Sequence, residues 1–159
     1  MPEEHAMRLT FGPLRWRDAL AISRWHYPEP YAIYDMNMLI PMLIEQVLTL
    51  LGTHLYYAAR DEQGTLVGFF SFVKRDDDVE VGVALRPDLT DKGLGLAFVL
   101  AGLDFARRTL HPARFRLDVA TFNQRALRVY ERAHFRPIRT FTRDIGRARV
   151  ECVEMVRDA

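Results

Sequence analysis

The sequence predicts a mixed α/β fold of the α+β kind, with one mostly antiparallel central sheet and helices on both of its faces. Three observations predict it. The runs HLYYAAR, TLVGFFSFVKR and DVEVGVALRP follow one another across short turn signals, DEQG and RDDD, in the manner of an antiparallel meander. A glycine-punctuated apolar stretch then separates DVEVGVALRP from FRLDVA, and strand–helix–strand within one sheet demands a parallel crossover. The chain has 159 residues, 49% hydrophobic and 27% charged, so 1–159 reads as a single globular domain.

Each element has its own local signal. A strand at about Met7 to Phe11 leads into a helix announced by Asp18, with Ala19, Leu20, Ile22 and Trp25 at near-helical spacing. Pro28 bounds that helix. The aromatic segment WHYPEPYAIYDM leads to a second helix, expected from about Asn37 to Leu51 and closed by Gly52. In the meander, Leu66 to Val73 is apolar on both pleat faces, as a central strand covered on both sides would be. In DVEVGVALRP, Val79, Val81, Val83 and Leu85 share one face, while Glu80, Gly82 and Ala84 share the other. One carboxylate beside two minimal side chains leaves room for a ligand, and an exposed sheet face gives the same pattern. Beyond Pro87, DLTDKGLGLAFVLAGLDFARR reads as a glycine turn and a buried helix ending at Arg107 or Arg108. FRLDVA is the next strand, and NQRALRVYERA the next helix, with Asn123 as N-cap and Arg125, Arg128 and Arg132 grouped by their spacing. Strands at about 136–143 and 147–156 close the chain.

Composition excludes several classes of protein. The most apolar stretch, LIPMLIEQVLTLL, is interrupted by Pro41, Glu45 and Gln46 and falls short of the ~20 residues of a membrane span. Acids stand where a secretory signal would carry basic residues, and Cys152 is the single cysteine, so the expected location is the cytoplasm. His5, His26, His54, His111 and His134 show no metal-ligand spacing, and no metal is expected. Net charge is +1, yet residues 1–106 hold 9 Lys+Arg against 15 Asp+Glu and residues 107–159 hold 13 against 6. This asymmetry fits a polyanion site at the back or a solvated arginine-rich surface.

The chemistry-bearing segment is RPDLTDKGLG, at a strand-to-helix turn. Glycines there let a ligand approach the backbone, and the free amides at a helix start, with the helix dipole, favour a phosphate. The Walker pattern fails because Lys92 precedes its glycine, and the dinucleotide GxGxxG fails because Phe98 stands at its third small position. An RNA-binding reading of VGFFSFV lacks the basic lead residue and the aromatic spacing.

The window Thr90-Asp91-Lys92-Gly93-Leu94-Gly95 resembles the Gln/Arg-x-x-Gly-x-Gly/Ala motif of the GNAT superfamily of N-acetyltransferases. A second family element, an Asn followed by Ala, Tyr and a Gly-Phe pair, is similar to Asn123, Ala126, Tyr130 and His134-Phe135. The resemblance spans about 79–138 and implies a GNAT-like sheet splayed between the strand ending at Arg86 and FRLDVA. It implies that acetyl-CoA lies in the splay, against the backbone of Val83, Ala84 and Leu85. Its diphosphate would then meet Asp91, Lys92, Gly93, Leu94, Gly95 and Leu96, with Asn123 and Arg125 nearby. Thr90 replaces the family's long polar residue, Asp91 sets a carboxylate beside the phosphates, and His134 occupies the glycine position as one of the residues that tolerate a left-handed conformation.

The implied reaction is direct attack of an amine on the thioester. Tyr130 corresponds to the family tyrosine that protonates the thiolate, since a phenol keeps its proton at neutral pH. Glu80 is the implied base for the amine. A backbone amide near Val83 to Leu85 would stabilise the oxyanion. Tyr31, Tyr34 and Asp35, in the aromatic segment, are candidates for binding the acceptor amine through cation–π contact and charge, and core packing accounts for the same residues. The expected function is N-acetylation of a primary amine of a small molecule or peptide. The alternatives are a non-catalytic CoA-binding sensor or regulatory module and, from the arginine-rich third, a nucleic-acid binder. No nucleic-acid or membrane partner is expected, and a homodimer is compatible with the family.

Overall fold

The computed structural model describes residues 7–35, 54–145 and 147–159. The strands are β1 (Thr10–Pro13), β2 (His54–Arg60), β3 (Leu66–Arg75), β4 (Asp78–Leu85), β5 (Arg114–Ala120), β6 (Arg136–Ile145) and β7 (Ala148–Asp158). The helices are α1 (Trp16–Ile22), α2 (Gly95–Leu110) and α3 (Gln124–Arg132). The helix expected over 37–51 lies outside the described residues.

The strands form one seven-stranded sheet in the order β1-β2-β3-β4-β5-β7-β6. The meander and the crossover are both present: β2, β3 and β4 pair antiparallel, and β4 pairs with β5 in parallel. The last strand of the chain inserts between β5 and β6. That placement follows from burial, since β7 supplies Val150, Cys152, Met155 and Val156 to the interior while β6 is almost wholly exposed.

Pleat parity divides the sheet into two faces. Val79 and Val81 of β4 and Phe115, Leu117 and Val119 of β5 join Phe98, Val99 and Leu103 of α2 in the main core. Phe70, Phe72, Phe98, Phe115 and Leu117 are almost wholly withdrawn from solvent. Each such side chain stabilises the fold by roughly 1.5–3 kcal/mol relative to exposure. Gly102 lets α2 lie directly on the sheet, because a Cβ there would stand 2.2 Å from the ring of Phe70. On the opposite face α1 packs Ala19 and Ile22 against Phe69, with Trp25 and Ala84 at the margin.

Boundaries differ from expectation where local hydrogen bonding overrides the periodic pattern. The first strand begins at Thr10 rather than Met7, and its register is set by pairing with β2. Asp18 occupies the first turn of α1 and accepts the backbone N–H of Arg15 at 3.0 Å. The helix ends at Ile22, so Trp25 belongs to the segment that follows. α2 runs past Arg108 to Leu110 and stops where His111 turns left-handed at φ 50°. His134 is likewise left-handed, at φ 67°, and closes α3 as its residue type suggested.

Candidate active site

The ladder between β4 and β5 has three pairs, ending at Glu80↔Arg116. Both strands run on, β4 along β3 to Leu85↔Gly68 and β5 along β7 to Ala120↔Cys152, so the sheet splits into a V with its vertex at Glu80 and Arg116. The Arg86 N–H bonds the Val67 carbonyl at 2.8 Å, which makes Leu85–Gly68 a non-hydrogen-bonded pair of the β3–β4 ladder. Alternation then turns the N–H and C=O of Val81, Val83 and Leu85 away from β3 and into the V. The same alternation commits the amide of Ala84 to β3, so of the three expected backbone positions Val83 and Leu85 offer groups to a ligand and Ala84 offers only its small side chain.

The mouth of the V is the start of α2. Asp91 and Gly93 are both left-handed, at φ 58° and φ 73°, and open space surrounds the Cα of Gly93. The first helical bond runs from Phe98 N–H to Leu94 C=O, which leaves the amides of Gly95, Leu96 and Ala97 without intrahelical acceptors. These donors, with the dipole of a sixteen-residue helix behind them, suit a diphosphate. Gly95 has a second duty: a Cβ there would meet Val129 of α3 at 3.1 Å. Leu96 contributes backbone alone, because its side chain is in the core. Asp91 stands in the turn rather than in the helix. It precedes the N-cap by three positions, and its carboxylate accepts from Arg125 at 2.8 Å. Lys92 is exposed beside it, and the Thr90 hydroxyl is spent on the Pro87 carbonyl.

Arg125 therefore reaches the glycine turn through Asp91, and its guanidinium also lies over the Tyr31 ring, 3.8 Å from the centroid. The chain's own arginine is thus a cation–π partner of Tyr31, the kind of contact expected there for a substrate cation. Asn123 caps α3 by accepting the Ala126 N–H at 3.2 Å, and it hydrogen-bonds the Tyr34 phenol. Its side chain thus sets the helix start and faces the Tyr34 phenol. Asp35 accepts the Tyr27 N–H at 2.7 Å and meets the His26 ring at 3.1 Å. It holds the aromatic segment together.

That segment bridges the open end of the V. Trp25 packs on Phe69 and Ala84 on the β3–β4 side, while Tyr34 packs on Ala120 and Cys152 on the β5–β7 side. Tyr27, which composition singled out only as one of several aromatics, donates its hydroxyl to the Leu85 carbonyl at 2.9 Å, inside the V. Burial and the neighbouring Asp35 push its phenol up to about 12. Ile22, Trp25, Tyr27, Tyr34, Phe69 and Ala84 line a small pocket there.

Tyr130 of α3 packs edge-to-face on Phe135 at a centroid separation of 5.9 Å and borders the main core. Burial, with a smaller contribution from Tyr34, pushes its phenol well above the ordinary value, so it is a proton donor at any physiological pH. The Tyr130 phenol lies within electrostatic reach of the Tyr34 phenol of the aromatic segment.

Glu80 stands at the vertex on the face opposite the main core, half-exposed and paired with Arg75 at 3.3 Å. Beside it on the same face, β5 carries Arg114, Arg116 and Asp118. Arg116 bonds Asp78 and Glu154 at 2.6 Å each and ties β4, β5 and β7 together at the vertex. Arg114 adds a second cation to Asp78, and Arg139 a second to Glu154. These arginines hold both carboxyls below their ordinary range. Asp118, absent from the expected site, stands one pleat beyond Arg116 on the splayed half of β5 and receives a hydrogen bond from Arg143 at 3.2 Å. The alternation of FRLDVA was its available signal, since Phe115, Leu117 and Val119 bury the other face. Among the described residues no cluster of His, Cys, Asp and Glu could hold a metal, and no helix is long and apolar enough to cross a membrane.

Comparison with known proteins agrees with this geometry. A mycothiol acetyltransferase of Propionibacterium freudenreichii subsp. shermanii is 40% identical over 95 residues, which are 57% of this chain and 29% of that protein, so the chain spans less than a third of the relative's length. The spermidine N-acetyltransferase of Vibrio cholerae, solved in complex with CoA and spermine, superposes with a TM-score of 0.74 at 18% identity, covering 94% of this chain and 95% of that one. A dodecameric structure of the V. cholerae enzyme gives a TM-score of 0.72, also at 18% identity, over 94% of this chain and 93% of that one. Acetyltransferases of the GNAT family use acetyl-CoA as acyl donor, one of these neighbours was solved with CoA, and the splayed strands and free helix-start amides of this chain fit it. The model of the acetyltransferase (GNAT) domain matches residues 5–136, and the chain belongs to the GNAT acetyltransferase family.

Proposed function

We propose that the chain is an N-acetyltransferase that moves an acetyl group from acetyl-CoA to a primary amine of a small molecule or peptide by direct attack. The observation that carries this reading is the V: β4 and β5 part after Glu80↔Arg116, and the amides of Val83 and Leu85 turn into the opening. Those amides, with Gly95 and Leu96 at the start of α2, would hold the pantetheine arm and the diphosphate. When bound, acetyl-CoA supplies an activated acyl carbon as a thioester. The Val83 or Leu85 N–H would stabilise negative charge at the carbonyl oxygen. Tyr130, protonated because it is buried, would give its proton to the sulfur. The amine would approach from the face that carries Glu80, between the vertex and the aromatic bridge. The spermidine N-acetyltransferase of similar fold acts on an amine by name, which supports the acceptor class and does not select its member.

Calorimetric titration of the purified chain with acetyl-CoA, against NADH and ATP at the same ionic strength, tests the donor. Selective binding is expected, followed by release of free CoA when amines are added. Binding of all three alike, or of none, refutes the reading.

A further inference from the structure

We propose that Asp118, rather than Glu80, is the base that takes the proton from the acceptor amine, and that the Glu80 charge tunes it. This rests on the acetyltransferase reading above and adds a residue to it.

Position is the first ground. Continuing the parallel register past Glu80↔Arg116 sets Asp118 level with Gly82, one pleat inside the V. Gly82 has no side chain, and only the Ser71 hydroxyl lies over it, 2.2 Å from where a Cβ would stand. Below this level the Arg116 clasp closes the sheet. Above it Tyr27 and Tyr34 of the bridge close the mouth. Among the described residues Asp118 is thus the carboxylate of the splayed half, on the same face as Glu80.

Charge is the second. Five carboxylates lie on this face of β4, β5 and β7: Asp78, Glu80, Asp118 and Glu154 around the V, and Asp158 opposite Arg114 at the end of β7. Asp78 and Glu154 each carry two arginines and are held ionised at low pH, which makes them poor bases. Glu80 has Arg75 against it. Around Asp118 the described charged and titratable groups are Glu80 from β4, Glu154 and Cys152 from β7, Arg139 and Arg143 from β6, and Arg116 on its own strand. Its one hydrogen-bonded cation, Arg143, is half in solvent. Burial and the Glu80 charge outweigh that cation and raise the Asp118 carboxyl. Neighbouring carboxylates whose proton affinities are driven apart in this way mark the acid–base group.

The proton balance is closed. An acceptor ammonium loses two protons as nitrogen bonds the acyl carbon and the carbon–sulfur bond breaks. Asp118 takes the first and passes it to water. The second goes to solvent and replaces the one that Tyr130 gives to sulfur.

Two measurements on the full chain test this. Carbon-detected NMR titration of side-chain carboxyls, with and without CoA, needs no turnover. It should show Asp118 titrating above an ordinary aspartate and above Asp78, and Glu80→Gln should move it down. A midpoint at or below the ordinary aspartate value overturns the proposal. CoA release is then followed across pH with a polyamine, an amino-acid amide and an amino sugar as acceptors. Asp118→Asn should lower kcat/KM about 100-fold while acetyl-CoA affinity and thermal melting stay those of the wild type. Glu80→Gln should shift the acidic limb to lower pH. If Asp118→Asn keeps the wild-type rate and Glu80→Gln loses the acidic limb, Glu80 is the base. A wild-type chain that neither binds acetyl-CoA nor acetylates any acceptor refutes the transferase reading itself, and this assignment with it.

Discussion

Replacing Arg116 by Met keeps the length of the side chain and removes the cation that closes the vertex. Its guanidinium lies 2.6 Å from both Asp78 and Glu154, whose residues are only 9% and 8% exposed. At that distance and an effective dielectric near 20, each contact has a gross attraction of about 6 kcal/mol, most of which desolvation offsets. Stripping a buried carboxylate of its only cation costs about 3–5 kcal/mol. Here Asp78 keeps Arg114 and Glu154 keeps Arg139, so the expected loss is about 2–4 kcal/mol at pH 7, or about 4–16 °C in Tm for a domain of this size. The pH dependence has a definite sign. Both carboxyls are lowered in the folded state, so their contribution is present above the unfolded values near pH 4 and is lost as pH falls through the native ones. The penalty measured by urea denaturation should therefore be full at pH 7 and shrink below about pH 4. A penalty below about 0.5 kcal/mol, or one that stays constant down to pH 3, refutes the clasp.

Three further outcomes follow from single contacts. Tyr130→Phe should lower the acetylation rate by about 100-fold and leave acetyl-CoA affinity little changed, as judged by steady-state kinetics beside calorimetry; an unchanged rate removes Tyr130 as the acid. Tyr27→Phe should remove the one phenol pushed up to about 12 from a spectrophotometric tyrosine titration and cost about 1 kcal/mol by leaving the Leu85 carbonyl without its donor. Gly102→Ala gains about 1 kcal/mol of helix propensity, yet its Cβ would lie 2.2 Å from the Phe70 ring. Overpacking should win, with a net loss of about 1–3 kcal/mol in urea; a stabilised variant would show that α2 can shift off the sheet.

The fold was legible because its signals are local. Alternation fixed which face of β4 enters the core, the turn dipeptides set the meander, and the crossover rule made β4 and β5 parallel. The insertion of β7 between β5 and β6 was not legible, since it depends on which of two similar strands buries more apolar surface. At the site, the glycine turn identified the mouth of the V. The partners of its side chains were not legible where the fold brings them from another element or another part of a loop. Asp35 is held by the Tyr27 N–H, Asn123 by the Tyr34 phenol, and Tyr31 lies under Arg125. Residue type alone says that a carboxylate, an amide or an aromatic ring can bind a ligand. It does not say that the chain has already used it.

The charge asymmetry acquires a meaning of the same kind. The acidic front and basic back of the chain meet at both ends of the V: Asp78 with Arg114 and Arg116 at the vertex, and Asp91 with Arg125 at the mouth. The arginine-rich third is therefore in good part the complement of the domain's own acids rather than a patch for a polyanion. The two meetings differ in strength because they differ in burial. The vertex carboxylate is withdrawn from solvent and weakly screened, while Asp91 is 70% exposed and its pair is worth at most about 1 kcal/mol. A strong contact at the vertex keeps the strands joined where the opening must end. A weak one at the mouth costs little to break, and under the acetyl-CoA reading proposed above the diphosphate would replace Asp91 on Arg125, since it would offer the guanidinium more negative charge than one carboxylate.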